Sequence, residues 1–247
     1  MRTFGNQMKF ILTGCRAGGG QPLPLVLALL TLLPALFACA PAIEPVAGLR
    51  GPTRSVRAGR ELASYSFLKP ATWDLFDLEG GIARAALSGN ALVLSVEAGL
   101  GYLTAGNNVT HRDVLVNATL RQTEGLLGNG FGLLCRADKL GNGYWFLLSS
   151  RGEYSIQVAS AVREEPFPLV PWRYHSVIRP GLQANDLRIV CAENYLALLI
   201  NDVFVAEAFD DEFREGELAV ALGAGERRAS ASFDDIRVRA ATVTGRR

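Results

Sequence analysis

The side chains able to do acid–base work come in short runs. Asp210-Asp211-Glu212 is followed by Glu215 and Glu217, and Glu164-Glu165 and Asp234-Asp235 stand apart from them. Cleavage of a glycosidic bond uses two carboxyls flanking the bond, about 5 Å apart when configuration is retained. On a strand, Glu-x-Asp would set two acids on one face, and no Glu-x-Asp-x-x-Glu occurs in the chain. The first two runs read as solvated turns. Asp234-Asp235 belongs to a final strand, where one of the pair must face outward. No cofactor is expected. Ca²⁺ is the ion these acids would suit, and it needs several oxygens converging from loops. His111 and His175 lack metal-ligand spacing. There is no Ser-His-Asp set, phosphate loop or dinucleotide fingerprint.

The elements that would position such groups are strands. From Phe131 to Val158 the chain reads FGLLCRADKLGNGYWFLLSSRGEYSIQV. Phe131, Leu133 and Cys135 alternate with Gly132, Leu134 and Arg136, the period of a strand with two unlike faces. Lys139 to Gly143 is a turn rich in Gly and Asn, which tolerate positive φ. A second strand runs from Tyr144 to Ser149, and a third from Tyr154 to Val158. Tyr144, Phe146 and Leu148 share one face of the second strand; Trp145, Leu147 and Ser149 share the other. Similar runs recur at 62–67, 82–87, 91–96, 113–122, 186–192, 195–200, 203–209, 217–223 and 231–239. About a dozen strands joined by short turns predict an all-β, antiparallel two-sheet sandwich.

Cys135 and Cys191 each have an apolar neighbour two residues away, so both point inward. They either form a disulfide between neighbouring strands or pack as two buried thiols. The 247 residues are 49% hydrophobic with net charge +1, which argues against disorder and against a nucleic-acid partner.

The N-terminus has the pattern of an export leader. Arg2, Lys9 and Arg16 precede an uncharged run from Pro22 to Ala38. The run ends Leu36-Phe37-Ala38-Cys39, which resembles the bacterial lipobox and implies lipidation of Cys39. Ordinary cleavage near Ala38 or Ala40, or an uncleaved anchor, are the other readings. All three place the rest of the chain outside the cytoplasm. Residues 1–39 are thus a signal peptide, and 40–60, with three prolines and three glycines, a flexible tether. Residues 61–240 are the sandwich and 241–247 a tail.

Three stretches carry a further resemblance: FGLLCRADKLGNGYWFLLSSRGEYSI, NDLRIVCAENYLALLINDVFVAEAFDDEF and GELAVALGAGERRASASFDDIRVR. Together they resemble the concanavalin A-like jelly-roll group, within it the laminin-G-like and family-16 glycoside-hydrolase-like domains of exported bacterial lipoproteins. The resemblance spans roughly residues 62–240. It implies a jelly roll with ligands on the concave sheet or rim loops, and a Cys135–Cys191 disulfide. It also implies that Tyr144 and Phe146 face the core, which puts Trp145 on the open face, with Arg136 opposite Cys135. Trp145 and Arg136 are therefore the expected ligand patch, since sugars stack their C–H faces on aromatic rings and need polar partners beside them. The alternative for Trp145 is a core position beneath a loop; Trp73 and Trp172 read as core or edge plugs. The expected function is non-catalytic binding of carbohydrate or another cell-envelope ligand, by a protein held to the membrane through its lipid. A glycosidase-like hydrolase and a structural protein-interaction module are the rivals.

Overall fold

The computed structural model describes residues 51–68 and 72–246. The leader, Cys39 and most of the expected tether lie outside the described residues.

Among the described residues, fifteen strands form two antiparallel sheets. In chain order they are β1 (Arg54–Tyr65), β2 (Phe76–Asp77), β3 (Ala83–Ser88), β4 (Ala91–Val96), β5 (Gly101–His111) and β6 (Val114–Glu124). Then come β7 (Gly130–Ala137), β8 (Gly143–Ser149), β9 (Glu153–Ala159), β10 (Phe167–Tyr174) and β11 (Asn185–Ala192). The last four are β12 (Tyr195–Ile200), β13 (Val203–Phe209), β14 (Gly216–Ala224) and β15 (Ala229–Arg246). The nine-stranded sheet runs β13-β12-β11-β6-β15-β4-β3-β2, with β1 also paired to β15. The six-stranded sheet runs β10-β9-β8-β7-β14-β5.

The alternating apolar residues build the core between the sheets. Phe131, Leu133, Tyr144, Phe146, Leu148, Ile156, Val220 and Leu222 come from the smaller sheet. They meet Leu92, Leu94, Val116, Leu120, Ile189, Leu198, Phe233 and Val238 of the larger one. Nearly all are fully buried, which is the main source of stability for such a sandwich. Cys135 and Cys191 are joined by a disulfide, Cα–Cα 6.7 Å. They sit in different sheets, so the bond crosses the core and is not a link between adjacent strands.

Two boundaries differ from the expectation. β1 begins at Arg54, inside the stretch read as a tether, and β15 continues through the stretch read as a tail. The two pair with each other, from Arg54 opposite Arg246 to Tyr65 opposite Ile236. Their sequences hide this because β1 is poor in apolar alternation; the ladder supplies its order. Its Ala63 and Tyr65 pack against the main core, and its Val56 joins Val243, Ala241, Leu115, Val190, Tyr195 and Phe204 in a small cluster on the outer face.

Candidate functional site

Three rows of side chains cross the outer face of the six-stranded sheet. The ladders fix their order. In the first row, Tyr174 lies opposite Glu153, Glu153 opposite Ser149 and Ser149 opposite Gly130; across β14, Gly223 lies opposite Tyr102. In the second, Ser155, Leu147, Gly132, Ala221 and Thr104 follow one another. In the third, Gln157, Trp145, Leu134, Ala219 and Gly106 do so. Six strands make five steps of about 4.8 Å, so the face is roughly 24 Å across.

The middle of this face is built from small residues, Gly130, Gly132, Gly223, Ala219 and Ala221, and aromatic rings lie over them. A Cβ on Gly223 would fall 2.8 Å from the Tyr102 ring. One on Gly130 would fall 2.9 Å from the Tyr102 hydroxyl and 3.2 Å from the Trp172 ring. Tyr102 and Trp172 therefore converge on Gly130 from the two edge strands, and Tyr174 lies over Gly152. All three rings keep substantial exposure: 43% for Tyr102, 38% for Trp172 and 71% for Tyr174. Beside them is a line of polar groups with fixed directions. The Gln157 amide donates to Ser155 Oγ (3.1 Å), which donates to the Val170 carbonyl (2.8 Å), and Ser149 Oγ donates to Glu153 (3.0 Å). An apolar, ring-walled trough with a few placed polar groups is the usual composition of a small-ligand site.

Trp145 is on this face, across the sheet from the core, but only 4% of it is exposed. Its Nε1 donates to the Gly141 carbonyl at 2.8 Å, and Tyr102 meets it edge-on, centroids 5.0 Å apart at 87°. It packs with Leu134, Leu147, Ala137, Ala219 and Ala221 in a cluster of its own. Trp145 is the floor beneath Tyr102.

Arg136 does not join it, which corrects the expected patch. Strand β7 carries a bulge: Ala137 pairs with Glu217 and Leu134 with Ala219, three steps against two. Arg136 sits in it with φ 53°, so the alternation that would have aimed it at the open face is broken. Its side chain is 1% exposed and donates to the carbonyls of Arg112 (3.0 Å), Glu193 (2.8 Å) and Phe213 (2.8 Å) and to Asp113 (3.2 Å). Burial lowers the guanidinium's pKa and Asp113 opposes that. Gly143 and Gly216 let the bulge pack closely: a Cβ would lie 2.7 Å from the Arg136 oxygen or 2.5 Å from its carbonyl carbon.

The acid runs are largely occupied. Asp210 accepts from the Tyr144 hydroxyl (2.7 Å), Glu212 pairs with Arg163 (2.6 Å), and Asp234 accepts from Asn90 (2.7 Å). His111 lies against Asn107, and His175 accepts from the Val177 amide. Among the described residues, no three His, Cys, Asp or Glu converge as a metal site. One acid pair does border the trough. The Lys139 ammonium lies 3.0 Å from Asp74 and 3.0 Å from Glu217, and also meets Asn108. Burial raises the Asp74 pKa, but hydrogen bonds from Asn108 and Lys139 outweigh it and hold the carboxyl below the usual range.

A cleft of about 390 Å³ lies on the opposite side of the sandwich, lined by Asn117, Thr119, Asp186, Arg188, Asp202 and Arg237 among others. Its groups largely pair with one another: Arg188 with Asp202 and Asn117, Thr119 with Asp186.

No protein-family profile and no curated protein matches the chain. Solved structures do resemble it. A carbohydrate-binding module of Bacillus subtilis superposes with TM-score 0.53 at 14% identity, over 69% of this chain and 96% of that one. A Bacillus subtilis protein of unknown function with a galectin-like fold gives 0.58 at 13%, over 78% and 100%. A family-16 glycoside hydrolase of Bacteroides ovatus, solved with a glucan product, gives 0.51 at 11%, over 72% and 99%. At such identities the likeness is one of fold: this chain is a jelly-roll-like sandwich of the kind found in carbohydrate-binding and galectin-like domains.

Proposed function

We propose that this protein binds carbohydrate without cleaving it, along the outer face of its six-stranded sheet, while exported and held at the membrane by a lipid on Cys39. The observation that carries the reading is the convergence of Tyr102 and Trp172 over Gly130, with Tyr174 beyond. These are exposed rings over a floor with almost no side chains, beside Ser149, Ser155 and Gln157. Sugar rings present C–H faces to such aromatics; Ser149, Ser155 and Gln157 are buried and bonded within the sheet, where they fix the strands beneath the rings. Trp145 contributes by packing edge-on against Tyr102.

Binding is favoured over hydrolysis by the acids at the trough's border. A glycosidase keeps one carboxyl protonated as the general acid. Asp74 is pulled the other way, and Lys139 stands between it and Glu217.

The test is a glycan array and calorimetric titration with the full chain, with and without calcium. Trp172→Ala and Tyr102→Ala should each weaken binding by about 5- to 150-fold, on the scale of about 1–3 kcal/mol that a planar ring stacked on an aromatic side chain contributes, with the thermal midpoint of Trp172→Ala kept. Binding unchanged in both variants would refute the trough as the site. A glycan shortened by the protein would overturn the non-catalytic part. Incorporation of radiolabelled palmitate into the natural chain, and its loss in a Cys39→Ser variant, tests the anchor.

A further inference from the structure

The turn from Asp138 to Asn142 joins β7 to β8 and is fixed both internally and to its surroundings. Internally, Asp138 accepts from the backbone amides of Leu140 (2.8 Å) and Asn142 (3.0 Å) and from the Asn142 side chain (2.7 Å). Externally, the Lys139 ammonium donates to Asp74 (3.0 Å), Glu217 (3.0 Å) and Asn108. Those partners stand on separate parts of the chain: Asp74 before β2, Asn108 on β5 and Glu217 on β14. Asn108 has φ 58°, at the place where β5 departs from its register with β14. The ammonium thus pins the irregular part of an edge strand that, among the described residues, pairs with β14 alone.

The same turn reaches the trough. The Gly141 carbonyl accepts from Trp145 Nε1 (2.8 Å), and a Cβ on Gly141 would fall 3.6 Å from both the Trp145 ring and the Thr104 methyl. The turn is therefore seated between Trp145 and β5. Trp145 meets Tyr102 edge-on, and Tyr102 stands two residues from Thr104 on β5. Lys139 is remote from that ring: its partner Asn108 lies six residues from Tyr102, roughly 20 Å along an extended strand.

Resting on the glycan reading, we infer that Lys139 is a positioning residue for the trough. Its ion pairs hold the turn, the turn holds Trp145, and Trp145 fixes the Tyr102 ring. A ring fixed before the glycan arrives does not have to be ordered on binding.

The experiment uses the full chain carrying isotope-labelled tryptophan for NMR, titrated with the tightest-binding glycan of the array. Lys139→Met, of similar length and without charge, should speed solvent exchange of the Trp145 indole proton. It should also weaken glycan binding by about two- to tenfold, the scale of immobilising one side chain. Its thermal midpoint should stay close to that of the natural chain, because the Lys139 and Asp74 side chains are partly exposed. Lys139→Arg, which keeps the charge and the donors, should restore both readings. Paired substitutions locate the effect: Lys139→Met should no longer change affinity in a Tyr102→Ala background and should still change it in a Trp172→Ala background. An affinity unmoved by Lys139→Met, or an indole proton exchanging at its natural rate, overturns the inference. So does a full effect in the Tyr102→Ala background, which would make Lys139 a direct contact, or a thermal midpoint lost along with the affinity. Any of these results, with binding still weakened in Trp172→Ala, leaves the glycan reading standing. No binding of any glycan overturns both.

Discussion

Arg136→Ala should unfold the sandwich more readily and leave glycan recognition intact in the molecules that remain folded. The guanidinium satisfies three backbone carbonyls from three separate turns, plus Asp113, and its own side chain is almost wholly buried. Hydrogen bonds to a charged group each contribute about 1.5–3 kcal/mol, and desolvating the charge offsets part of that sum. Deleting one member of a buried charged network while the others stay buried costs about 3–5 kcal/mol. In a domain of this size that lowers the thermal midpoint by on the order of 10 °C. Equilibrium denaturation under non-reducing conditions measures it, because the disulfide must be held constant. Arg136→Lys keeps the charge but cannot reach three carbonyls with one ammonium, and should lose most of the same stability. A loss below about 1 kcal/mol, or a folded Arg136→Lys that no longer binds glycan, would refute the assignment of Arg136 to the scaffold.

Replacing Cys135 and Cys191 together by Ser should cost about 4 kcal/mol in the loop-entropy treatment, for a sequence separation of 56; denaturant midpoints with and without reductant check it. Trp145→Ala should cost about 3–5 kcal/mol by cavity formation and also weaken glycan binding, because Tyr102 loses its support; Trp145→Phe should restore part of both, read by calorimetry and titration. Asp74 has a folded pKa below its unfolded value. Its contribution is therefore present above the usual carboxylate range and lost as pH falls through the folded value. Asp74→Asn should lower stability slightly at neutral pH and flatten the acid limb of a pH–stability curve, and an unchanged acid limb would count against the Lys139 network.

The sheet architecture was legible because burial on one face forces alternation, and the segment from Phe131 to Val158 shows that alternation almost without interruption. The same rule failed at Arg136, where a single residue at positive φ shifts the parity of the strand. Nothing in the residue types Cys-Arg-Ala announces that shift; it is set by Gly143 and Gly216 allowing close packing from elsewhere in the chain. For Trp145 the rule set it across the strand from Tyr144 and Phe146, and the resemblance put those two in the core; its burial depends on Tyr102, about forty residues earlier in the sequence and brought over it only by the β14–β5 and β14–β7 ladders. Tyr102 and Trp172 themselves lie on edge strands next to Gly or Pro, where a one-dimensional pattern is weakest. The glycines beneath them were the available clue, since a sheet gives up side chains at 130 and 223 only where something else must occupy the space.

The ladder between β1 and β15 places Arg54 directly opposite Arg246, so the two chain ends of the sandwich lie about 5 Å apart at the backbone. A circularly permuted protein is therefore within reach: a short Gly-Ser link could join the old ends, and new ones could open at the exposed turn around Val162. Such a rearrangement would carry the trough unchanged while moving the point of attachment to the far end of the smaller sheet. The orientation of the trough relative to whatever surface the protein is tied to then becomes a property that can be set by where the chain is cut.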